Sequence, residues 1–81
     1  MSLRSILREI HRTFTFYHGI EDPPSWVIRA ADRYEFQDRW RPRPYNQVIT
    51  LRGRHYIYRV WFEMVGQAEI KRHYYRKKRI Y

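Results

Sequence analysis

The stretch HYIYRVWFEMV, residues 55–65, decides the fold, because it is a long segment with the composition of a β-strand. It is rich in aromatic and β-branched residues, and turns at Gly53 and Gly66 flank it. The segment NQVITL (46–51) precedes the first turn, and AEIKRHYYRKK (68–78) follows the second. The three segments predict strands that form an antiparallel β-meander.

Hydrophobic patterning predicts how the second and third strands pair. A two-residue loop at 65–66 would place Phe62 opposite Glu69 and mix apolar and charged residues on one face. One further loop residue brings Phe62 opposite Ile70. A one-residue slip moves every side chain to the other face, so the pattern favours this second register. Its cost is a like-charge pair between Glu63 and Glu69.

In this register one face of the sheet is apolar, and the other mixes cations with aromatic rings. The apolar face comprises Tyr56, Tyr58, Val60, Phe62, Met64, Ala68 and Ile70. The mixed face comprises His55, Ile57, Arg59, Trp61, Lys71, His73, Tyr75 and Lys77.

The N-terminal residues have the periodicity of an amphipathic helix over about 2–13, with Ser2 as a candidate N-cap. Its periodic apolar residues are Leu3, Ile6, Leu7, Ile10 and Phe14, and the first four of them would cover the apolar face of the sheet. An alternative is an organelle transit peptide, since this segment is Arg-rich, contains Ser and has Glu9 as its one acid.

The middle of the chain gives a weaker pattern. Residues 25–31 are compatible with a helix or a strand, and the alternation in RYEFQDRW predicts a strand over 33–40. The segment RPRP (41–44) is predicted to be extended, because proline fixes φ and disfavours helix in the residue before it.

These features predict one small basic α+β domain over residues 1–81, with an N-terminal amphipathic helix packed on an antiparallel sheet of three to four strands. Residues 1–18 are the helix and its exit, 19–45 a loop or strand connector, and 46–81 the β-meander with a basic C-terminal tail.

Composition limits the classes of protein to consider. With 43% apolar and 19% aromatic residues, the 81-residue chain can build a core from large rings. It has no cysteine, which excludes disulfides and thiolate chemistry and favours an intracellular location, cytoplasmic or organellar. No apolar run is long enough to cross a bilayer, so no transmembrane segment is expected.

The charge indicates an anionic partner. The formal net charge is +9, and residues 52–81 carry nine of the 17 Lys and Arg residues but only two of the eight acids. Fourteen of the cations are Arg, whose planar guanidinium binds phosphate and stacks on rings. Such asymmetry is typical of proteins that bind nucleic acid or a membrane surface.

The mixed sheet face suits single-stranded RNA, because rings stack on bases while cations hold phosphates. We therefore expect a non-enzymatic binding module for RNA or a nucleoprotein surface. The predicted nucleic-acid-binding residues are Arg59, Trp61, Lys71, His73, Tyr75, Arg76, Lys77, Lys78 and Arg79. An alternative structural role leaves Trp61 and Ile57 in the core, covered by residues 25–40. In that interpretation the terminal basic run is a solvated tail.

An enzyme is not expected, and neither a cofactor nor a metal site is indicated. The four histidines lack metal-ligand spacing, and the acids are scattered. A metal-free ribonuclease is one alternative, with His55, His73, Tyr58, Tyr74 and Arg59 as its candidate acid, base and cation. The order LRGRHYIYRV then HYYRKKRIY resembles the basic, aromatic strands that end the sheets of RelE-like toxin nucleases. The resemblance covers the last third of the chain and lacks the long helical hairpin of that family.

The other alternative is an accessory or structural subunit of a large protein complex. Small, basic, aromatic-rich chains fill grooves between larger subunits, and the extended RPRP segment and basic tail would become ordered on binding.

Overall fold

The structure is a computed structural model, and it describes residues 15–36, 47–66 and 69–80. Within these ranges the fold is α+β, with one helix and a four-stranded antiparallel sheet. In chain order the elements are β1 (His18–Ile20), α1 (Ser25–Phe36), β2 (Gln47–Arg52), β3 (Tyr56–Met64) and β4 (Ile70–Lys78).

The predicted β-meander is confirmed. Strands β2, β3 and β4 follow one another as antiparallel neighbours, and their bounds lie within two residues of the predicted ones. The sheet order is β1-β4-β3-β2, so the short strand β1 pairs with the C-terminal strand. Strand β1 was not predicted, and its residues cross the boundary between the predicted helix exit (1–18) and the predicted connector (19–45).

The register of β3 and β4 differs from the predicted one by two residues. Met64 pairs with Ile70 and Phe62 with Arg72, where Phe62 was expected opposite Ile70. A shift of two residues keeps every side chain on its predicted face. The shift also removes the predicted like-charge pair between Glu63 and Glu69, because Glu63 lies opposite Lys71.

Helix α1 resolves the ambiguity over residues 25–31. It begins after Pro24, whose carbonyl oxygen accepts hydrogen bonds from the backbone N–H groups of Val27 and Ile28 at 3.0 and 3.2 Å. Val27 and Ala31 are fully buried and Tyr34 is half-buried. The spacing of four and three residues puts these side chains on one helix face, which packs on the sheet.

Two predictions about the chain before the sheet need correction. The strand over 33–40 is wrong for residues 33–36, which form the last turn of α1, and residues 37–40 lie outside the described part. The N-terminal helix over 2–13 also lies outside the described residues. The helix that the structure places against the sheet sits between β1 and β2, inside the predicted connector 19–45.

The core lies between α1 and the predicted apolar face of the sheet. Its buried residues are Val27, Ala31, Tyr58, Val60 and Phe62. Tyr34 stacks on Phe62 with 5.4 Å between ring centroids, and Trp26 and Tyr58 form a T-shaped pair at the same distance. Aromatic rings therefore supply much of the burial, as the composition predicts.

The described residues contain no helix with the length and apolarity needed to cross a membrane.

Candidate nucleic-acid interface

The sheet face opposite α1, which we call the outer face, carries six of the nine residues predicted to bind nucleic acid. The register pairs Arg59 with Tyr75 and Trp61 with His73, and these residues alternate with the core residues along their strands. The outer-face members of the predicted set are Arg59, Trp61, Lys71, His73, Tyr75 and Lys77.

Trp61 lies beneath this face and is only 9% exposed. Tyr17 and Tyr75 pack against it, and its indole stacks on the imidazole of His73 with 4.5 Å between centroids. The indole Nε1 is buried and has no hydrogen-bond partner among the described residues. Because the Trp61 ring is buried and already packed against these three side chains, Trp61 supports the outer face from within.

Tyr17 is a member of the outer face that the sequence did not reveal. Its ring lies 4.9 Å from the guanidinium carbon of Arg59 and 5.1 Å from Nζ of Lys77. Both distances are within the range of cation–π contacts. Tyr17 directly precedes β1, and only the unpredicted pairing of β1 with β4 brings it over these cations.

His73 makes a side-chain contact of its own with an acid. One of its ring nitrogens, Nε2, lies 3.0 Å from Oε1 of Glu63, and both side chains are about a quarter exposed. His55 accepts a backbone hydrogen bond from Arg79 at the other end of β3. It therefore lies six residues, or about 20 Å, from the position opposite His73, and the two histidines are not brought together as an acid–base pair.

Burial and a charge act together on Tyr75. Burial raises the pKa of its phenol above the ordinary value, and the nearby charge of Glu63 raises the pKa further. The phenol is therefore held in its neutral form, in which it can donate a hydrogen bond from the half-buried outer face.

Six cations converge on one end of the sheet. Lys78 lies opposite Tyr56, and the backbone N–H of Arg79 donates to the carbonyl oxygen of His55 at 2.9 Å. The end of β4 thus runs beside the turn between β2 and β3. We call this region the basic end and define it by the side chains of Arg52, Arg54, Arg76, Lys77, Lys78 and Arg79.

Most of these cations have no acidic partner within the described residues. Five of them, Arg52, Arg54, Arg76, Lys77 and Lys78, make no ion pair there. Arg79 is held by the backbone, because its Nη1 donates to the carbonyl oxygen of Gly53 at 3.0 Å. The guanidinium of Arg76 lies 4.7 Å from the ring centroid of Tyr56. A stack of this kind leaves the N–H groups at the guanidinium edge free to meet an anion.

Arg72 belongs to a different class of cation. It points to the core side of β4, where its guanidinium binds the carboxylates of Asp32 and Glu35 on α1 and lies near the hydroxyl of Tyr74. Burial lowers its pKa, but the hydrogen bonds that the guanidinium donates to Tyr74, Glu35 and Asp32 outweigh burial and raise the pKa above its ordinary value. This cation is neutralised by the chain itself, so it ties the helix to the sheet.

Gly53 fixes the β2–β3 turn against the helix. A Cβ atom at this position would come within 2.9 Å of Cζ2 of Trp26, 2.9 Å of the carbonyl oxygen of Tyr56 and 3.2 Å of Cε2 of Tyr58. The turn therefore has a fixed position, and the arginines on either side of Gly53 are presented from a packed support.

Among the described residues, no group of three His, Asp or Glu side chains is placed to hold a metal ion. A scan of protein-family models, a search of curated proteins and a search of solved structures give no significant match to this chain.

Proposed function

We propose that the protein is a non-enzymatic binding module for RNA or a ribonucleoprotein surface. The observation that carries this proposal is the convergence of six cations at the basic end, five of them without an acidic partner in the described residues. A dense group of unpaired cations attracts polyanions, and the phosphate backbone of nucleic acid is a polyanion of high charge density.

Rigidity supports the same proposal. Lys77 and Lys78 belong to β4 and are held in its ladder, while the turn at Gly53 is packed against Trp26. Cations on a fixed scaffold lose less conformational freedom on binding than cations on a solvated tail, so more of the electrostatic attraction appears as affinity.

The half-buried rings and cations of the outer face extend the same surface. Tyr75 and Tyr17 lie there beside Arg59 and Lys77. We propose that these side chains contact the nucleic acid next to the basic end, with Trp61 positioning them.

Salt dependence is the first test. A labelled single-stranded RNA is titrated with the protein from about 50 to about 200 mM salt, and binding is followed by fluorescence anisotropy. If six phosphates are contacted, the slope of log K against log salt is about −4, and affinity falls roughly 300-fold across this range. A slope near zero would contradict the proposal.

A matched pair of double variants locates the contact. Arg54→Gln with Lys78→Gln removes two exposed cations from the basic end, and Arg29→Gln with Arg33→Gln removes two exposed cations from α1. The net charge changes equally in both. We expect the first to reduce affinity roughly 10- to 50-fold and the slope by about 1.4, and the second to change affinity less than threefold. Equal losses would show that only the net charge matters.

A second candidate function is that of an accessory subunit in a protein complex. It is favoured by three large apolar side chains at the surface, Phe16, Phe36 and Ile80, which are 80%, 79% and 92% exposed. Affinity purification from a native extract, with and without ribonuclease, separates the two functions. Protein partners that survive ribonuclease favour the subunit, and partners lost with the RNA favour RNA binding.

A further inference from the structure

The basic end contains a pocket of about 530 Å³ whose lining combines rings with cations. Register places four of its polar residues on the core-side face of the sheet, where His18 pairs with Arg76 and Tyr56 with Lys78. Lys77, which lies on the outer face, also lines the pocket. Phe16 and Ile80, both largely exposed, complete the rim.

The chemistry of the lining is that of a nucleotide site. Phe16 and Tyr56 offer flat apolar surfaces, and Arg76 already lies over the Tyr56 ring at 4.7 Å. Lys78 and Arg76 supply two charges suited to a phosphate, and the lining contains no acidic side chain. The volume falls within the range of pockets that bind small molecules.

We propose that this pocket binds one unpaired nucleotide of single-stranded RNA. Its base lies against Phe16 and Tyr56, and its phosphate is held by Arg76 and Lys78. This inference rests on the proposed function and adds selectivity to it, because a base in a duplex is stacked on its neighbours and cannot enter the pocket.

Two phenylalanines of equal exposure provide the experiment. Phe16→Ala removes a ring from the pocket rim, and Phe36→Ala removes a ring of 79% exposure from the end of α1. Each variant is titrated with a single-stranded RNA and with a duplex that contains the same strand, at one salt concentration. We expect Phe16→Ala to weaken single-strand binding roughly 5- to 100-fold and to leave duplex binding within threefold. Phe36→Ala should change neither more than threefold.

The proposed nucleotide pocket would be overturned if Phe16→Ala weakened single-strand and duplex binding equally. It would also be overturned if Phe16→Ala and Phe36→Ala had equal effects on affinity. In those cases the salt slope of the wild-type protein still tests the electrostatic function, because it does not depend on the rings of the pocket. If the wild-type protein shows no salt-dependent RNA binding, both proposals fall.

A free nucleotide tests whether the pocket recognises a single nucleotide or requires a longer RNA strand. Adenosine monophosphate is titrated into isotope-labelled protein and followed by NMR. We expect saturable changes in the chemical shifts of Tyr56 and Arg76, and we expect these changes to be lost in Phe16→Ala. Shifts confined to other residues, or none at all, would overturn the assignment of base and phosphate to this pocket.

Discussion

Tyr56 lies directly opposite Lys78 in the β3–β4 ladder, and this pairing determines where the charge of the protein is concentrated. In the register predicted from the sequence, Tyr56 would face Arg76, and the cations after it would extend past the end of β3. The observed shift of two residues holds Lys77 and Lys78 within the sheet, beside the arginines of the β2–β3 turn. The charge therefore belongs to the folded sheet.

Gly53 should be intolerant of a side chain. We expect Gly53→Ala to lower the free energy of unfolding by roughly 1–3 kcal/mol, because the new Cβ would collide with Trp26 and with the carbonyl of Tyr56. Urea unfolding measures the loss. Gly19→Ala is the control, since its Cβ would meet only Tyr75 at 3.8 Å, an ordinary contact. A loss at Gly19 as large as that at Gly53 would contradict this explanation.

Arg72 should stabilise the packing of α1 on the sheet. Arg72→Met keeps much of the side-chain volume but leaves the carboxylates of Asp32 and Glu35 without their partner. Breaking a buried pair costs about 3–5 kcal/mol, and the half-exposed Asp32 reduces our expectation to roughly 1–3 kcal/mol. Lys71→Met, at the exposed neighbouring position, should change the unfolding free energy by less than about 0.5 kcal/mol.

A double-mutant cycle tests the Arg72 contact itself. In the presence of Arg72→Met, Glu35→Gln should cost less than it does in the wild type, because the partner charge is already gone. Additive losses from the two substitutions would indicate that each residue acts through something other than their hydrogen bond.

Trp61 should act in folding more than in binding. We expect Trp61→Ala to cost roughly 3–5 kcal/mol in unfolding free energy, since it removes a buried ring from beneath Tyr17 and Tyr75. Trp61→Phe keeps an aromatic ring and gives up part of the ring volume and an Nε1–H that has no partner. It should remain folded and bind single-stranded RNA within threefold of the wild type. A larger loss of affinity by folded Trp61→Phe would restore the stacking role expected from the sequence.

Local patterns predicted the meander because each of its strands carries its own alternation and its own turn. The face assigned to each residue was also predicted correctly. Side chains alternate between the two faces along a strand, so a shift of two residues leaves each side chain on the same face. The exact pairing was not predicted, because it depends on the length of the connection between Met64 and Ile70, which has five residues.

Long-range contacts account for what the sequence did not predict. Residues 33–36 alternate like a strand, but they continue a helix whose Val27 and Ala31 are fully buried, and Phe36 is left 79% exposed. Strand β1 has three residues and depends on a partner more than fifty positions away. Trp61 was expected at the surface, and its burial under Tyr17 follows from that same pairing.

Tyr75 should make the protein less stable at high pH. Its folded pKa is raised above the ordinary value of 10.0, first by burial and then by the charge of Glu63. Below a pH of about 10 the phenol is neutral in both states and contributes no pH dependence. Above that pH the unfolded chain ionises first, so the stability held at lower pH is lost as the pH rises through the folded pKa.

Tyr75→Phe isolates this effect from the other titrating groups. The difference in unfolding free energy between wild type and variant should be constant below a pH of about 9 and should move in favour of the variant as the pH rises past about 10. Glu63→Gln should lower the Tyr75 pKa part of the way to its ordinary value, because it removes the charge but not the burial. NMR of the labelled Tyr75 ring follows this ionisation directly. A Tyr75 that titrates with the unfolded tyrosines, or a Glu63→Gln variant with a higher pKa, would contradict the assigned causes.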